Sequence, residues 1–269
     1  MKRRESVRPV NYKFAAVVLA GERPGGSAIA QELGLAAGVL VNVAGKSALA
    51  RVIDALETSE MVDGGLLCGP TAEIYRDNEE FRQILNGSSF HWTAPESGPS
   101  ASALAALEQL DRYPVLLTAG DHALLTPGLV DFFCREAVKM DVDVVFGLAP
   151  YAFVHAAYPE SKRTVLKFSD GQYCSTNLFA ILNRAGKAGP AFWWELEVLR
   201  KRPWRMAHHL GAGLLLRYLF GRLSLDKAVE SLSHAMGCRI GYVRIEVARA
   251  AVDVDSVADR DLAEKILLQ

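Results

Sequence analysis

The segment Phe14-Ala-Ala-Val-Val-Leu-Ala20 is an uninterrupted apolar run closed by Gly21. A run of strand length without polar alternation suits a strand covered on both faces, as in a parallel sheet, and does not suit one with a solvated face. Similar short runs recur at Gly65 to Cys68, Pro114 to Thr118, Asp143 to Leu148 and Tyr242 to Val247. Between them lie stretches of helical period, Ser47 to Leu56, Ser100 to Leu110 and Pro127 to Lys139. Strands alternating with helices make βαβ units, which predicts a three-layer α/β/α fold. Thr164 to Phe168 and Leu178 to Leu182, split by the turn Ser169-Asp170-Gly171, are expected to join as a pair, giving a mixed, mostly parallel sheet.

Such a core needs apolar residues, and the chain of 269 supplies them at 50% hydrophobic against 23% charged. The expectation is one domain over 14–269, preceded by a tail over 1–13 that carries Lys2, Arg3, Arg4 and Arg8. With 30 Lys+Arg against 31 Asp+Glu, the chain lacks the basic excess of a dedicated nucleic-acid binder. Cys68, Cys134, Cys174 and Cys238 are scattered, without a CxxC pair, which speaks against a zinc site or disulfide framework and for a cytoplasmic location. No apolar run reaches the ~18 residues of a membrane span; the longest, Leu210 to Phe220, is interrupted by Arg217.

The rhythm breaks at about 189–237, which reads as helices only, Ala191 to Arg200, Pro203 to Phe220 and Leu225 to Met236, the last behind a Ser224 N-cap. This is a helical insertion. From Arg184 to Arg222 the chain carries eight Lys and Arg (184, 187, 200, 201, 202, 205, 217 and 222) against Glu195 and Glu197, a local excess of six positive charges. Trp193, Trp194 and Trp204 lie among them. Two readings stand. Helices 189–222 make a peripheral contact with an anionic membrane or acidic partner, or they form a solvated outer face whose tryptophans fill the core.

Three segments carry polar groups suited to chemistry. Leu19-Ala20-Gly21-Glu22-Arg23-Pro24-Gly25-Gly26-Ser27 follows the first strand, at the sheet edge where open α/β folds bind ligands. Its glycines let backbone N–H groups approach phosphate, and Arg23 offers a cation; a plain turn is the competing reading. The dinucleotide pattern is absent, and Gly45-Lys46-Ser47 lacks the earlier glycine of a Walker loop, having Leu40 there. Asp121 follows the strand Pro114 to Thr118, ahead of a helix started by Thr126-Pro127. It suits a hard divalent cation such as Mg²⁺, or it caps a turn. Asp253 and Asp255, two apart on an extended stretch, share a face and suit a metal, while Ser256 and Asp259 fit a capping box for the terminal helix. His122 stands beside Asp121; His208 and His209, adjacent on a helix, point about 100° apart and cannot share one metal.

In order, Leu19-Ala-Gly-x-Arg23, Gly98-Pro-Ser-Ala-Ser-Ala-Leu-Ala-Ala-Leu107, Leu117-Thr-Ala-Gly-Asp-His122 and Asp253-Val-Asp-Ser-x-x-Asp259 resemble the nucleotidyltransferase superfamily. That superfamily includes molybdenum-cofactor guanylyltransferase and the sugar- or polyol-phosphate cytidylyltransferases. The resemblance implies transfer of a nucleotidyl group from a nucleoside triphosphate, CTP being one candidate, to a phosphorylated sugar or polyol with release of pyrophosphate. It implies that Leu19, Ala20, Gly21 and Arg23 hold the triphosphate and that Gly98, Ser100 and Ser102 recognise the base. It assigns Mg²⁺ to Asp121 and Asp255, with Asp253 second. It sets Lys162, Arg163 and Asn177 toward the acceptor, with Arg23, Lys162 and Arg163 supplying catalytic positive charge. The family's usual loop lysine falls at Gly38, and the small residue after Leu-Ala-Gly is Glu22. Losing a cation and gaining an anion both disfavour a bound polyanion. The alternatives are therefore a degenerate nucleotide-binding protein of the same fold or a nucleotide-sugar-dependent glycosyltransferase.

Overall fold

The computed structural model describes residues 13–22, 26–199 and 212–269. Its first strand, β1 (Phe14–Leu19), lies inside the main sheet, parallel to β4 (Val62–Cys68) on one side and β6 (Val115–Ala119) on the other. This double flanking accounts for the unbroken apolar run. The sheet continues from β4 to β5 (Phe90–Thr93), also parallel. At the other end β7 (Val144–Pro150) and β10 (Ile240–Arg244) form a second parallel pair. Between the two parallel blocks runs β9 (Gly171–Ile181), antiparallel to both β6 and β7 and hairpinned to β8 (Leu166–Phe168). The order is β10-β7-β9-β6-β1-β4-β5, with β8 beside β9, a mixed, mostly parallel sheet as expected.

Helices cover both faces. Leu49, Val52 and Leu56 of α2 (Ala48–Glu57), Phe81 of α4 (Glu79–Asn86) and Val130 and Phe133 of α6 (Pro127–Ala137) pack on Ala16, Val18 and Leu116. On the opposite face, Ala103 and Leu107 of α5 (Pro99–Leu110) and Leu225 and Val229 of α10 (Leu225–Met236) pack on Ala15, Val17 and Leu117. Successive strand residues thus serve opposite cores, as pleating requires. A smaller core joins Ile29 of α1 (Ala28–Leu33), Ala123 and Leu124, Val252 and Val254, and Ala263 and Ile266 of α11 (Val257–Leu267), and Val154 of α7 (Tyr151–Ala157) packs with Ala149, Cys174 and Ala251.

The expected caps are present. Thr126 Oγ1 accepts from the Leu129 N–H at 3.3 Å, Ser224 Oγ from Lys227 at 3.4 Å and Ser256 Oγ from Asp259 at 3.2 Å. The Ala44-Gly45 turn, with both φ positive, joins β2 (Asn42–Val43) to β3 (Lys46–Ser47), and Lys46 pairs with Asp54. That resemblance to a Walker ending is therefore a hairpin turn.

Two sequence expectations need correction, and one unassigned segment is filled. The second hairpin strand begins at Gly171, not Leu178, because Gln172, Ser175, Thr176 and Asn177 interrupt the apolar pattern. Asn177 sits at φ 50° where the β7 register slips opposite Gly147, and a Cβ on Gly147 would come within 2.2 Å of Thr176 Oγ1. This bulge needs glycine on the facing strand. The segment 69–93, to which the sequence reading assigned no element, contains α3 (Ala72–Asp77), α4 and β5; Asn78 caps α4 by accepting from the Phe81 N–H at 2.8 Å. Finally, Trp193 and Trp194 of α8 (Ala188–Leu199) are 44% and 45% exposed and so do not fill the core, while Trp204, His208 and His209 lie outside the described residues. Among the described residues no helix is long and apolar enough to cross a membrane.

Candidate functional site

The residue that follows β1 is tied to both neighbouring strands. Ala20 N–H donates to the Cys68 carbonyl at 2.8 Å, and the Leu19 carbonyl accepts from Gly120 N–H at 2.9 Å. Gly21 then threads a narrow gap: its own Cβ would meet Pro95 Cβ at 2.9 Å, and a Cβ on Gly69, at φ 93°, would meet the Gly21 nitrogen at 2.6 Å. Backbone therefore reaches the carboxyl edge without a side chain in the way. Arg23 lies outside the described residues.

Glu22 is turned back into its own loop. Its carboxylate accepts from Gly38 N–H at 2.6 Å and from Ser27 N–H at 3.2 Å, at the start of α1. Gly38 is buried, and a Cβ there would lie 2.4 Å from Ser27 Oγ and 2.8 Å from Ser27 Cβ. Glu22 and Gly38, the two positions that the resemblance set apart, are thus one structural unit. The inward glutamate needs the Gly38 N–H, and Ser27 fills the space that any larger residue at 38 would enter.

The Asp121 turn meets the C-terminal segment directly. The Asp121 carbonyl accepts from Ala123 N–H at 2.8 Å and from Val254 N–H at 3.1 Å, so Asp121 and Asp253 are brought together from distant parts of the chain. Asp253 Oδ1 is buried and has no hydrogen-bond partner. Burial pushes the Asp253 carboxyl up to about 6; nearby Arg163 opposes this, Asp255 and Asp259 reinforce it, and an Asn177 hydrogen bond also opposes it. Asp255 is exposed. His122 is wholly buried, which drives its imidazole down to about 4 against the pull of the Ala250 backbone. It stands in the core as a neutral ring.

Arg163 is expected at the acceptor phosphate, but its guanidinium is engaged within the protein. It donates to Ser161 Oγ at 2.8 Å and the Asp253 carbonyl at 3.2 Å, and it pairs with Asp259 with only 8% of its side chain exposed. It fastens the approach to β8 onto the Asp253–Asp259 segment. Lys162, beside it, is exposed. Asn177 joins Asp253 from the β9 bulge.

The third block forms the start of α5. Ser102 Oγ accepts from Glu96 N–H at 2.9 Å, while Ser100 Oγ donates to Glu197 of α8 at 2.9 Å. A Cβ on Gly98 would come within 3.0 Å of the other Glu197 oxygen. Both serines are buried, and Glu197 of α8 meets Ser100. Glu197 escaped the sequence reading, where its one signal was being one of two acids in a basic stretch. Trp92, adjacent to this block, stacks on Tyr75 with ring centroids 4.5 Å apart and donates its Nε1 hydrogen to the Pro70 carbonyl at 3.1 Å.

No three His, Cys, Asp or Glu side chains converge on a metal position among the described residues. Mg²⁺ held with a nucleotide does not require three; one or two carboxylates with substrate phosphates and water suffice. Asp121 with Asp253, whose Oδ1 is buried and unmet, fits that donor set.

A family profile described as "MobA-like NTP transferase domain" matches residues 16–180. A search of curated protein sequences finds no match. Among solved structures, the chain is similar to a hypothetical transferase from Thermus thermophilus, at 24% identity and a TM-score of 0.77, covering 92% of this chain and 99% of that one. It is also similar to 4-diphosphocytidyl-2C-methyl-D-erythritol synthase from Anaerococcus prevotii, at 12% identity and 0.59, covering 96% and 100%. A third is CMP:2-keto-3-deoxy-manno-octonic acid synthetase complexed with CTP, at 13% identity and 0.57, covering 96% and 99%.

Proposed function

The chain belongs to the MobA-like NTP transferase domain family, and on that premise we propose that it transfers a nucleotidyl group from a nucleoside triphosphate to a phosphorylated sugar or polyol. The observation that carries the reading is the hydrogen bond from Val254 N–H to the Asp121 carbonyl, which joins two carboxylate-bearing segments at the sheet edge beside the Ala20-Gly21 loop. In the proposed reaction an acceptor phosphate oxygen forms a bond to the α-phosphorus, and the bond from that phosphorus to the β-phosphate bridging oxygen breaks, releasing pyrophosphate. Such chemistry asks for alignment and charge neutralisation more than for covalent help.

In this reading Asp121 and Asp253, with exposed Asp255 close by in sequence, hold Mg²⁺. When bound, the ion neutralises phosphate charge. The backbone of Leu19, Ala20 and Gly21 cradles the triphosphate, and Arg23 supplies the cation that Gly38 does not. Ser100 and Ser102, expected at the base, are instead held by Glu197 of α8 and by Glu96 and act as positioning residues for the start of α5, beside which the Gly98 backbone faces the base; Lys162 and Asn177 orient the acceptor. Arg163 is a positioning residue, since it reaches the site through Asp253 and Asp259. CTP is the first triphosphate to try, because two similar structures are named for cytidylyl or CTP chemistry.

Thermal unfolding with each common triphosphate, with and without Mg²⁺, tests this reading. A ligand at 100 times its Kd stabilises by about 2.7 kcal/mol, a shift of several degrees for a chain of this size. One triphosphate should stand out in the presence of Mg²⁺ only; a flat response to all of them would sink the proposal.

A second reading, nucleotide binding without turnover, is favoured by the Glu22 carboxylate on the Gly38 and Ser27 N–H groups. Pyrophosphate release by the parent and by Glu22→Ala separates the two, since binding tightens in the variant on either reading. On the first reading the variant gains about tenfold in triphosphate affinity, the equivalent of about 1.4 kcal/mol, and pyrophosphate release is measurable in both proteins. On the second, binding tightens and no pyrophosphate appears from either.

A further inference from the structure

The helix α9 (Ala212–Leu219) turns its apolar side in an unusual direction. One face is anchored: the Tyr218 ring packs edge-on against Phe168 at 5.8 Å, and Tyr218 Oη accepts from the Lys167 N–H at 3.3 Å. Its C-terminal end is finished by Gly221 at φ 64°, with Arg222 N–H donating back to the Arg217 carbonyl at 2.8 Å. Such a cap fixes the last turn and its orientation. On the other face Leu216, Leu219 and Phe220 follow at helical spacing, and they are 53%, 76% and 73% exposed. The Phe220 N–H still donates to the Leu216 carbonyl at 3.0 Å, so the three form one continuous ridge. Arg217 and Arg222, both exposed, flank it.

We propose that this ridge is a docking surface for an anionic lipid bilayer, with Leu216, Leu219 and Phe220 entering the headgroup boundary and Arg217 and Arg222 meeting lipid phosphates. A pinned helix with a leucine and phenylalanine ridge and arginines beside it has the composition of an interfacial helix. Charge selects the occupant. Residues 184–222 hold six more basic than acidic residues, although the whole chain is at -1. A second copy docked ridge to ridge would bring Arg217 and Arg222 against their own mates across a two-fold axis, and like charges at such a contact repel. An anionic bilayer neutralises them. Position adds a consequence. The hairpin under α9 extends past Pro150, the last residue of β7, so docking brings the carboxyl edge of the sheet to the lipid surface.

Vesicle flotation of the full chain tests the surface independently of any nucleotide chemistry. The expected result is binding to vesicles of phosphatidylcholine with about one-third phosphatidylglycerol, none to pure phosphatidylcholine, and weakening as salt rises. Leu219→Ser with Phe220→Ser should lower partitioning on the order of a hundredfold. Arg217→Gln should lower it roughly fivefold. Both variants should keep the parent's unfolding midpoint, because the side chains concerned face solvent. Failure of the parent to float at low salt would overturn the proposal. So would undiminished flotation of the double serine variant, or a concentration-dependent dimer that this variant abolishes.

Discussion

The two sides of the candidate cleft treat their carboxylates in opposite ways. On the loop side, Glu22 is satisfied from within, by the N–H groups of Gly38 and Ser27. On the other side, Asp253 keeps a buried oxygen without a hydrogen-bond partner, and its proton is held up to about 6. A buried polar atom left unmet is costly unless something else satisfies it. The contrast locates the two kinds of carboxylate: the loop side closes on an internal anion, and the aspartate side keeps an unmet acceptor.

The largest effects should come from the aspartate side. On the proposed function, Asp121→Asn or Asp253→Asn removes the Mg²⁺-dependent part of the thermal shift and lowers pyrophosphate release by about a thousandfold or more, equivalent to about 4 kcal/mol of barrier. Stability should move the other way for Asp253→Asn. The carboxyl's folded value of about 6 lies above its ordinary 3.8, so its contribution to folding is full below about pH 4 and is lost as pH rises through 6. Without metal, the variant should therefore outlast the parent at pH 7.5, with the gap closing toward pH 4. Equal stability at both pH values would break the contrast with Glu22.

Next in size is His122, buried beside Asp121 and against the Ala250 backbone. Its value falls from 6.5 to about 4, so its contribution to stability is present above about pH 6.5 and is lost as pH falls through 4. That loss should be on the order of 3 kcal/mol. Urea unfolding of the parent and His122→Leu at several pH values between 7.5 and 4 checks it; the leucine variant should show the shallower decline.

The smallest effect sharpens the loop side. Gly38→Lys, which places a cation where the resemblance expects one, should destabilise by about 1–3 kcal/mol, because the new side chain collides with Ser27. Ser27→Gly in the same chain should recover part of that loss. A double-mutant cycle on unfolding midpoints reads the coupling, and simple additivity would mean that Ser27 is not what keeps position 38 a glycine.

Much of this architecture was legible in advance because it is local. Strands buried on both faces announce themselves as apolar runs, and Thr126, Ser224 and Ser256 announce their helices by capping chemistry. β9 was legible only at its far end, since its near half is polar and bulged at Asn177. The site was legible as segments. Nothing about Arg163 in the sequence distinguishes a cation facing an acceptor from one fastened to Asp259, and nothing about Trp193 and Trp194 says that they face solvent.

The chain's order of residues, by itself, determined the alternating α/β scheme, the small-residue loop after β1, the aspartates at strand ends and the absence of a lysine at position 38. These follow from periodicity, backbone permissiveness and residue chemistry, each set within a few neighbours. Only the tertiary structure decided what each charged group meets. It put Glu22 against Gly38, Val254 N–H on the Asp121 carbonyl, Glu197 on Ser100 and the α9 ridge toward solvent. The physical reason is that a charge's role depends on the donors and the burial around it, and those come from segments as far apart as residues 121 and 254 that only the folded sheet brings together.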